Sequence, residues 1–147
     1  MVEKIFSGPI ERIHKDLLTL AAEIFGSYPV LFAYLYGSYA TGLVHPFSDL
    51  DIAIYVNKMP RRQYLDLELS LALEIDEKME SGVASEVRVM NELPLIITGK
   101  IVTEGILLFS RDEIIRVDFE TSIRDAYFDF LPILQTYQRT YMQDLVS

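Results

Sequence analysis

Residues 31–56, LFAYLYGSYATGLVHPFSDLDIAIYV, constrain the fold of this 147-residue chain more than any other segment. They overlap the run VLFAYLY at 30–36, whose β-branched and aromatic residues lack polar alternation and predict a strand buried on both faces. A Gly37-Ser38 pair follows, and after ten intervening residues a D-L-D triplet begins at Asp49. The segment therefore predicts two strands joined by a turn and a short loop.

The second of these strands, residues 49–56, follows a period of two. Its aliphatic side chains fall on one face and are expected to pack under helices, namely Leu50, Ile52, Ile54 and Val56. Asp49 and Asp51 fall on the opposite face with Ala53 and Tyr55. The spacing therefore predicts that both aspartates point to the same side of a sheet.

The rest of the chain alternates helical and extended patterns. Apolar residues at three- and four-residue steps predict helices from Pro9 to about Gly26, from Pro60 to about Glu80, over 93–104, and from Asp112 onward. Residues 86–90 and 106–110 predict two further strands, and Pro132 predicts a kink or break in the last helix. This order predicts an α/β (α+β) fold, with a small mixed sheet and helices on one face. Without a linker or repeat, we expect one domain over residues 1–147.

Composition restricts the partners of the chain. Its net charge of −9, without a long basic run, makes nucleic acid unfavourable as the main substrate and favours a protein or a small cationic molecule. The chain has no cysteine, which excludes disulfides and thiolate metal sites. Neither a membrane-spanning run nor a secretory signal is recognisable, so we expect no membrane partner and a cytoplasmic location.

The D-L-D triplet suits a divalent cation. Two carboxylates one residue apart on a strand can reach the same ion, and Mg²⁺ takes a few carboxylate oxygens together with phosphate and water oxygens. Gly37 would let the backbone approach phosphates, and Ser38 could donate its hydroxyl and N–H to them. A helix beginning near Ser38 would add a field favourable to anions.

A third carboxylate on a neighbouring strand would allow two metal ions about 3.5–4 Å apart to clamp a phosphoryl displacement. Glu86 is the candidate, because it opens a predicted strand and alternates away from Val87 and Val89. An ordinary edge acid paired with Arg88 or a nearby lysine is the alternative interpretation of Glu86.

The spacing of Gly37-Ser38, ten residues and Asp49-x-Asp51 resembles the signature of the DNA polymerase β-like nucleotidyltransferase superfamily. More narrowly, GSYATG at 37–42 and EVRVMNELP…IVTEGILLF at 86–109 resemble the minimal nucleotidyltransferase (MNT, MntA-like) antitoxins of HEPN/MNT toxin–antitoxin systems. The resemblance covers about residues 10–110. Glu86 stands where that family usually carries Asp as its third metal ligand.

This resemblance implies a function. It implies a type VII antitoxin that transfers AMP from ATP to a tyrosine of a cognate HEPN RNase toxin, in a hetero-oligomer with that toxin. Asp49, Asp51 and Glu86 would bind Mg²⁺, in a two-metal site, and act in catalysis. Gly37 and Ser38, with both aspartates, would bind the nucleotide. The catalytic core would span about residues 28–110, followed by a helical segment at about 112–145.

Two other functions remain open from the sequence. A small-molecule nucleotidyltransferase, of the aminoglycoside-modifying kind, generally carries a further C-terminal helical domain, whereas only about 37 residues follow Ser110. A non-catalytic antitoxin would block its toxin by contact alone.

Several other residues have simple structural interpretations. Ser38 could cap a helix, and His45 could be a solvated loop residue. Arg61 and Arg62 could form an exposed charged turn rather than contact ATP or an acidic partner. The aromatic residues near the C-terminus are most simply core and helix packing, although they could form a partner-binding surface, namely Tyr127, Phe128, Phe130, Tyr137 and Tyr141.

Overall fold

A computed structural model describes residues 7–146 of the chain. Five helices and four strands follow one another as α1 (Ser7–Phe25), β1 (Val30–Tyr36), α2 (Ser38–Thr41), β2 (Leu50–Val56), α3 (Tyr64–Met79), β3 (Ser85–Val89), α4 (Leu95–Glu104), β4 (Ile106–Ser110) and α5 (Glu113–Val146). A single 3-10 turn at Arg61–Gln63 precedes α3. The predicted elements are therefore present, and a one-turn helix does begin at Ser38.

The four strands form one mixed sheet in the order β3-β2-β1-β4. β1 lies in the centre and pairs antiparallel with both β2 and β4, whereas β2 and β3 are parallel. Five of the seven residues of β1 are fully buried, as its continuous apolar sequence predicts. The predicted mixed α/β fold is confirmed.

The alternation of β2 sorts its side chains onto two faces of the sheet. Leu50, Ile52, Ile54 and Val56 belong to the larger core, which α1 and α3 cover. Ala53 and Tyr55 belong to a smaller apolar cluster on the other face. The predicted division is confirmed for the residues of β2 itself, which begins at Leu50.

The second face of the sheet is also partly covered. The smaller cluster joins Phe32 and Tyr34 of β1 to Ile101 of α4 and Phe119 of α5. The Tyr34 hydroxyl donates a hydrogen bond to buried Glu120 of α5, whose carboxylate also accepts one from Arg116 at 2.9 Å. Helices α1 and α3 cover one face of the sheet, as predicted. The prediction is incomplete, because α4 and α5 partly cover the second face.

The position of Pro132 predicts a kink or a break in the last helix, and the break does not occur. α5 runs without interruption from Glu113 to Val146. Pro132 is exposed to solvent, as is Phe128, whose carbonyl loses its partner, so water can replace the backbone hydrogen bond that the ring prevents. The Thr136 hydroxyl donates to the Pro132 carbonyl at 2.9 Å within the next turn.

Smaller differences concern element ends. Pro60 starts a 3-10 turn rather than an α-helix, and α3 ends at Met79 with Glu80 in the left-handed region (φ 51°). Within residues 7–146, a search for a helix with the length and hydropathy of a membrane span finds none.

Candidate active site

The register of the sheet brings Asp51 and Glu86 together. In the parallel ladder of β2 and β3, Asp51 is the direct partner of Glu86. On the other side of β2, Asp51 is the partner of Tyr36, the last residue of β1. Since side chains of directly paired residues lie on the same face, the Glu86 carboxyl shares the second face with Asp51.

The turn after β1 is built around the Asp51 carboxylate. Gly37 has φ 73° and ψ −153°, a conformation that is open essentially to glycine alone. A Cβ atom on Gly37 would lie 2.4 Å from Oδ2 of Asp51. A glycine is therefore required at this position both by the backbone and by the carboxylate beside it.

Ser38 is placed immediately beyond that glycine, at the start of α2. The Gly37 carbonyl accepts backbone hydrogen bonds from Ala40 at 3.0 Å and Thr41 at 3.1 Å, which fixes the turn. The Ser38 side chain is half-buried, and its hydroxyl does not cap α2. Ser38 therefore does not take the simple capping role that the sequence allowed.

Negative charge is concentrated around Asp51. Burial raises the pKa of Asp51 to about 6, and the neighbouring Glu86 and Asp49 carboxylates add to this increase while Arg88 opposes it. The two neighbouring carboxylates make it harder for Asp51 to ionise. A bound cation would stabilise such a cluster, because it would reduce the repulsion between the carboxylates.

Asp49 and Glu86 are more exposed than Asp51. Asp49 lies one residue before β2 rather than inside it, and both Asp49 and Glu86 are exposed to solvent. Among residues 7–146, no group of three or more His, Cys, Asp or Glu side chains converges closely enough to hold a metal ion. The three predicted ligands therefore lie near one another, but their carboxylates are not close enough to share a metal ion.

The residues nevertheless fit a hard divalent cation. Carboxylate oxygens are the ligands that Mg²⁺ prefers, and the crowded charge at Asp51 is what such an ion would neutralise. Because Asp49 and Glu86 are exposed, their side chains can change rotamer without repacking the core.

Arg88 and Tyr36 also belong to this site, although the sequence did not predict a role for either of them. Burial raises the pKa of Tyr36, and the nearby Asp51 carboxylate adds to this, whereas the positive charge of Arg88 opposes it. The alternative interpretation of Glu86 pairs it with Arg88, but no such ion pair forms among the described residues. The period of two in β3 was the available signal, because it places Arg88 on the face that carries Glu86.

The other candidates have local roles. His45 accepts a hydrogen bond through Nδ1 from the Phe47 N–H at 3.2 Å, within an exposed turn. Arg61 forms a two-pronged ion pair with Glu92, with Nε 2.6 Å from Oε2. These contacts agree with the simple interpretations of His45 and Arg61. Arg62 is exposed.

The C-terminal aromatic residues divide into two groups. Tyr127 is buried against α4, where its ring occupies the space in which a Cβ of Gly99 would lie. Phe128, Tyr137 and Tyr141 are each more than half exposed. Core packing therefore explains Tyr127 alone of these four.

The sequence matches the family described as "Polymerase beta, Nucleotidyltransferase" over residues 19–114, more than half of the chain. The chain belongs to the polymerase β nucleotidyltransferase family. The match contains both β1 and β2, the turn at Gly37, and all three candidate carboxylates. A search of curated proteins finds no significant match to this nucleotidyltransferase.

Solved structures show the same fold. A chain of a mutant MntA–HpeT toxin–antitoxin complex aligns with a TM-score of 0.60 at 16% identity, over 88% of this chain and 97% of that one. A chain of a toxin–antitoxin structure with AMP-PNP aligns with a TM-score of 0.57 at 18% identity, over 91% and 98%.

A third structure holds a tri-AMPylated Shewanella oneidensis HEPN toxin in complex with MNT antitoxin. One of its chains aligns with a TM-score of 0.59 at 16% identity, over 91% of this nucleotidyltransferase and 99% of that chain. At such low sequence identity, these structural alignments establish a shared fold and nothing more.

Proposed function

We propose that this nucleotidyltransferase is an antitoxin that transfers AMP from ATP to a tyrosine of a cognate HEPN toxin, in a reaction that depends on Mg²⁺. The observation that carries the proposal is the pairing of Asp51 with Glu86, beside the Gly37 turn and Asp49, in a member of the nucleotidyltransferase family. Fold neighbours that contain AMP-PNP or a tri-AMPylated HEPN toxin support ATP as the donor and a toxin as the acceptor.

In this proposal Asp49, Asp51 and Glu86 hold the metal. Bound Mg²⁺ would neutralise charge on the phosphates and favour departure of pyrophosphate. Gly37 and Ser38 face the triphosphate, where the glycine allows close approach of the backbone and the serine offers donors.

Glu86 has a second role as general base. Its exposed carboxylate accepts the proton of the incoming tyrosine hydroxyl, whose oxygen forms a bond with the α-phosphorus of ATP. The bond between the α-phosphorus and the bridging oxygen breaks, and pyrophosphate leaves with that electron pair. The products are an O-AMP-tyrosine and pyrophosphate.

A protein acceptor agrees with the charge of the chain. A net charge of −9 disfavours nucleic acid as the acceptor. We propose that the catalytic core at about residues 28–110 acts together with the helical segment at about 112–145. That segment presents exposed Phe128, Tyr137 and Tyr141, side chains of a kind enriched in protein interfaces. We propose that it contributes to contact with the toxin.

The test uses the protein encoded by the neighbouring reading frame. Its identity as a small helical protein with an R-x4-6-H motif would be the first supporting observation. Labelled ATP and Mg²⁺ are incubated with this protein and either the wild type or the Asp49→Ala/Asp51→Ala variant. We expect label on a tyrosine of the neighbour with the wild type alone.

The outcomes separate the competing functions. Equal labelling by both proteins would refute the site. Absence of labelling with retained suppression of toxicity would identify a non-catalytic antitoxin. Transfer of AMP to an aminoglycoside, without transfer to the protein, would identify a small-molecule enzyme.

A further inference from the structure

The free edge of the sheet borders a groove. β3 is an edge strand, and a groove of about 500 Å³ lies between it and α3. Every residue of β3 lines it, opposite Leu65, Glu68, Leu69 and Ala72 of the helix. A strand of five residues is about 16 Å long, so the groove has the length of a short extended peptide.

An apolar stripe runs along the outer side of α3 at this groove. Leu65, Leu69 and Leu73 are 62%, 55% and 71% exposed and are separated by four residues each. The buried face of the same helix is a different stripe, formed by Leu67, Leu71, Ile75 and Met79. Leu65 and Leu69 line the groove. Single exposed leucines are ordinary, but a row of three on one helix side, two of them beside an open strand edge, indicates a binding surface.

The edge of β3 offers main-chain groups to a partner. The Ser85 N–H donates to Oδ1 of Asp76 at 2.9 Å, and the Val89 N–H donates to Oε2 of Glu68 at 2.8 Å. Because alternate residues of a strand direct their N–H groups to the same edge, that of Val87 points between these two. Side-chain carboxylates thus cover the ends of the edge, and its middle can pair with an extended chain.

Charge selects the kind of occupant. Glu68 and Glu86 line the groove, Asp76 lies at its end, and Arg88 is the basic residue of the lining. A second copy of this chain would bring the same acids face to face, added to the repulsion between two chains of net charge −9. An apolar segment that carries basic side chains is complementary to this surface.

We propose that this groove binds an extended segment of the acceptor protein, with apolar side chains on Leu65 and Leu69 and a basic side chain toward Glu68. Glu86 lies both in the groove and opposite Asp51, so the bound segment leads into the candidate active site. The inference rests on the proposed transfer of AMP to a protein.

The probe is the protein encoded by the neighbouring reading frame. Its affinity is measured by titration calorimetry for the wild type, for Leu65→Gln/Leu69→Gln, and for Leu18→Gln, which alters an exposed leucine of α1. AMP transfer to the same protein is measured in parallel. Thermal melting of each variant checks that these surface changes leave the fold intact.

We expect the double variant to lose at least tenfold in affinity, and Leu18→Gln to match the wild type. Added salt and Glu68→Gln should each weaken binding, because the segment is basic. Unchanged affinity of the double variant overturns the inference, as does a wild-type dimer that dissociates in this variant.

The two proposals fail in different ways. Loss of affinity in the double variant, together with no AMP transfer by the wild type, supports the groove and refutes the proposed activity. Unchanged affinity of the double variant, together with normal AMP transfer by both proteins, refutes the groove and leaves the activity in place.

Discussion

The Asp51 carboxylate fills the space that a side chain on Gly37 would need: a Cβ atom on the glycine would lie 2.4 Å from Oδ2 of the aspartate. Gly37→Ala should therefore displace the carboxylate and also strain a backbone with φ 73°. We expect AMP transfer to fall at least 100-fold, and the free energy of unfolding to fall by about 1–3 kcal/mol. Transfer kinetics and urea denaturation measure the two effects.

Gly42→Ala is the matched control for this prediction. Gly42 also has a positive φ of 85°, but no atom lies within 4 Å of the position of its Cβ. We expect a similar loss of stability with nearly normal transfer. If both variants lose activity equally, strain in the loop rather than the position of Asp51 is responsible.

Glu86 should be needed for the reaction and not for the fold. Glu86→Gln removes the charge and the proton acceptor from an exposed side chain, so we expect kcat to fall by about 100-fold or more with little change in stability. Glu86→Asp should retain measurable activity, because it restores a carboxylate. Exposed Glu77→Gln in α3 serves as the control. Transfer rates within threefold of wild type for Glu86→Gln would contradict its assignment.

Asp51 should lower the stability of the metal-free protein at neutral pH. Its folded-state pKa of about 6 exceeds the ordinary value of 3.8, so the folded state binds this proton more tightly than the unfolded state. Stability is therefore lost as the pH rises from about 4 to about 6. The full shift corresponds to about 3 kcal/mol, which solvent screening at this half-buried group reduces to about 1 kcal/mol.

We expect Asp51→Asn to abolish transfer and to increase the unfolding free energy above pH 6 without Mg²⁺. The gain should shrink as the pH falls and vanish below about pH 3, where the wild-type carboxyl is protonated in both states. Urea denaturation across this range gives the result, with Asp125→Asn on the exposed side of α5 as the control. If Asp51→Asn is less stable than wild type at pH 7, the ionised Asp51 carboxylate does not destabilise the metal-free protein.

Close packing between α4 and α5 depends on Gly99. A Cβ there would lie 2.2 Å from Cδ1 of Tyr127, so Gly99→Ala should reduce the free energy of unfolding by about 1–3 kcal/mol. Tyr127→Leu in the same protein should recover part of this loss, and a double-mutant cycle measures the coupling. Lys100→Ala, on the exposed neighbour, should change stability by no more than about 0.5 kcal/mol.

Local pattern was sufficient to predict most of the elements. The buried stripes of α1 and α3 and the two faces of β2 agree with their periodicity, because burial follows side-chain direction within a regular element. The continuous helix through Pro132 was not predictable in this way. Whether water can replace a lost backbone hydrogen bond depends on exposure, which is a property of the folded molecule.

Coverage of the second face also required the structure. Tyr34 and Glu120 are 86 residues apart in sequence, and nothing in the local pattern of either indicates that they meet. The same holds for the leucine stripe of α3, whose significance depends on the edge of β3 beside it.

The candidate active site shows the same division. From spacing within single elements, the sequence predicts that Asp49 and Asp51 share a face, that a glycine turn precedes them, and that Glu86 lies at the start of a later strand. Only the folded sheet shows that β2 and β3 pair in parallel with Asp51 opposite Glu86, and that Gly37 is needed to leave room for that aspartate. Strand register is set by packing of the whole sheet, and no local spacing contains it.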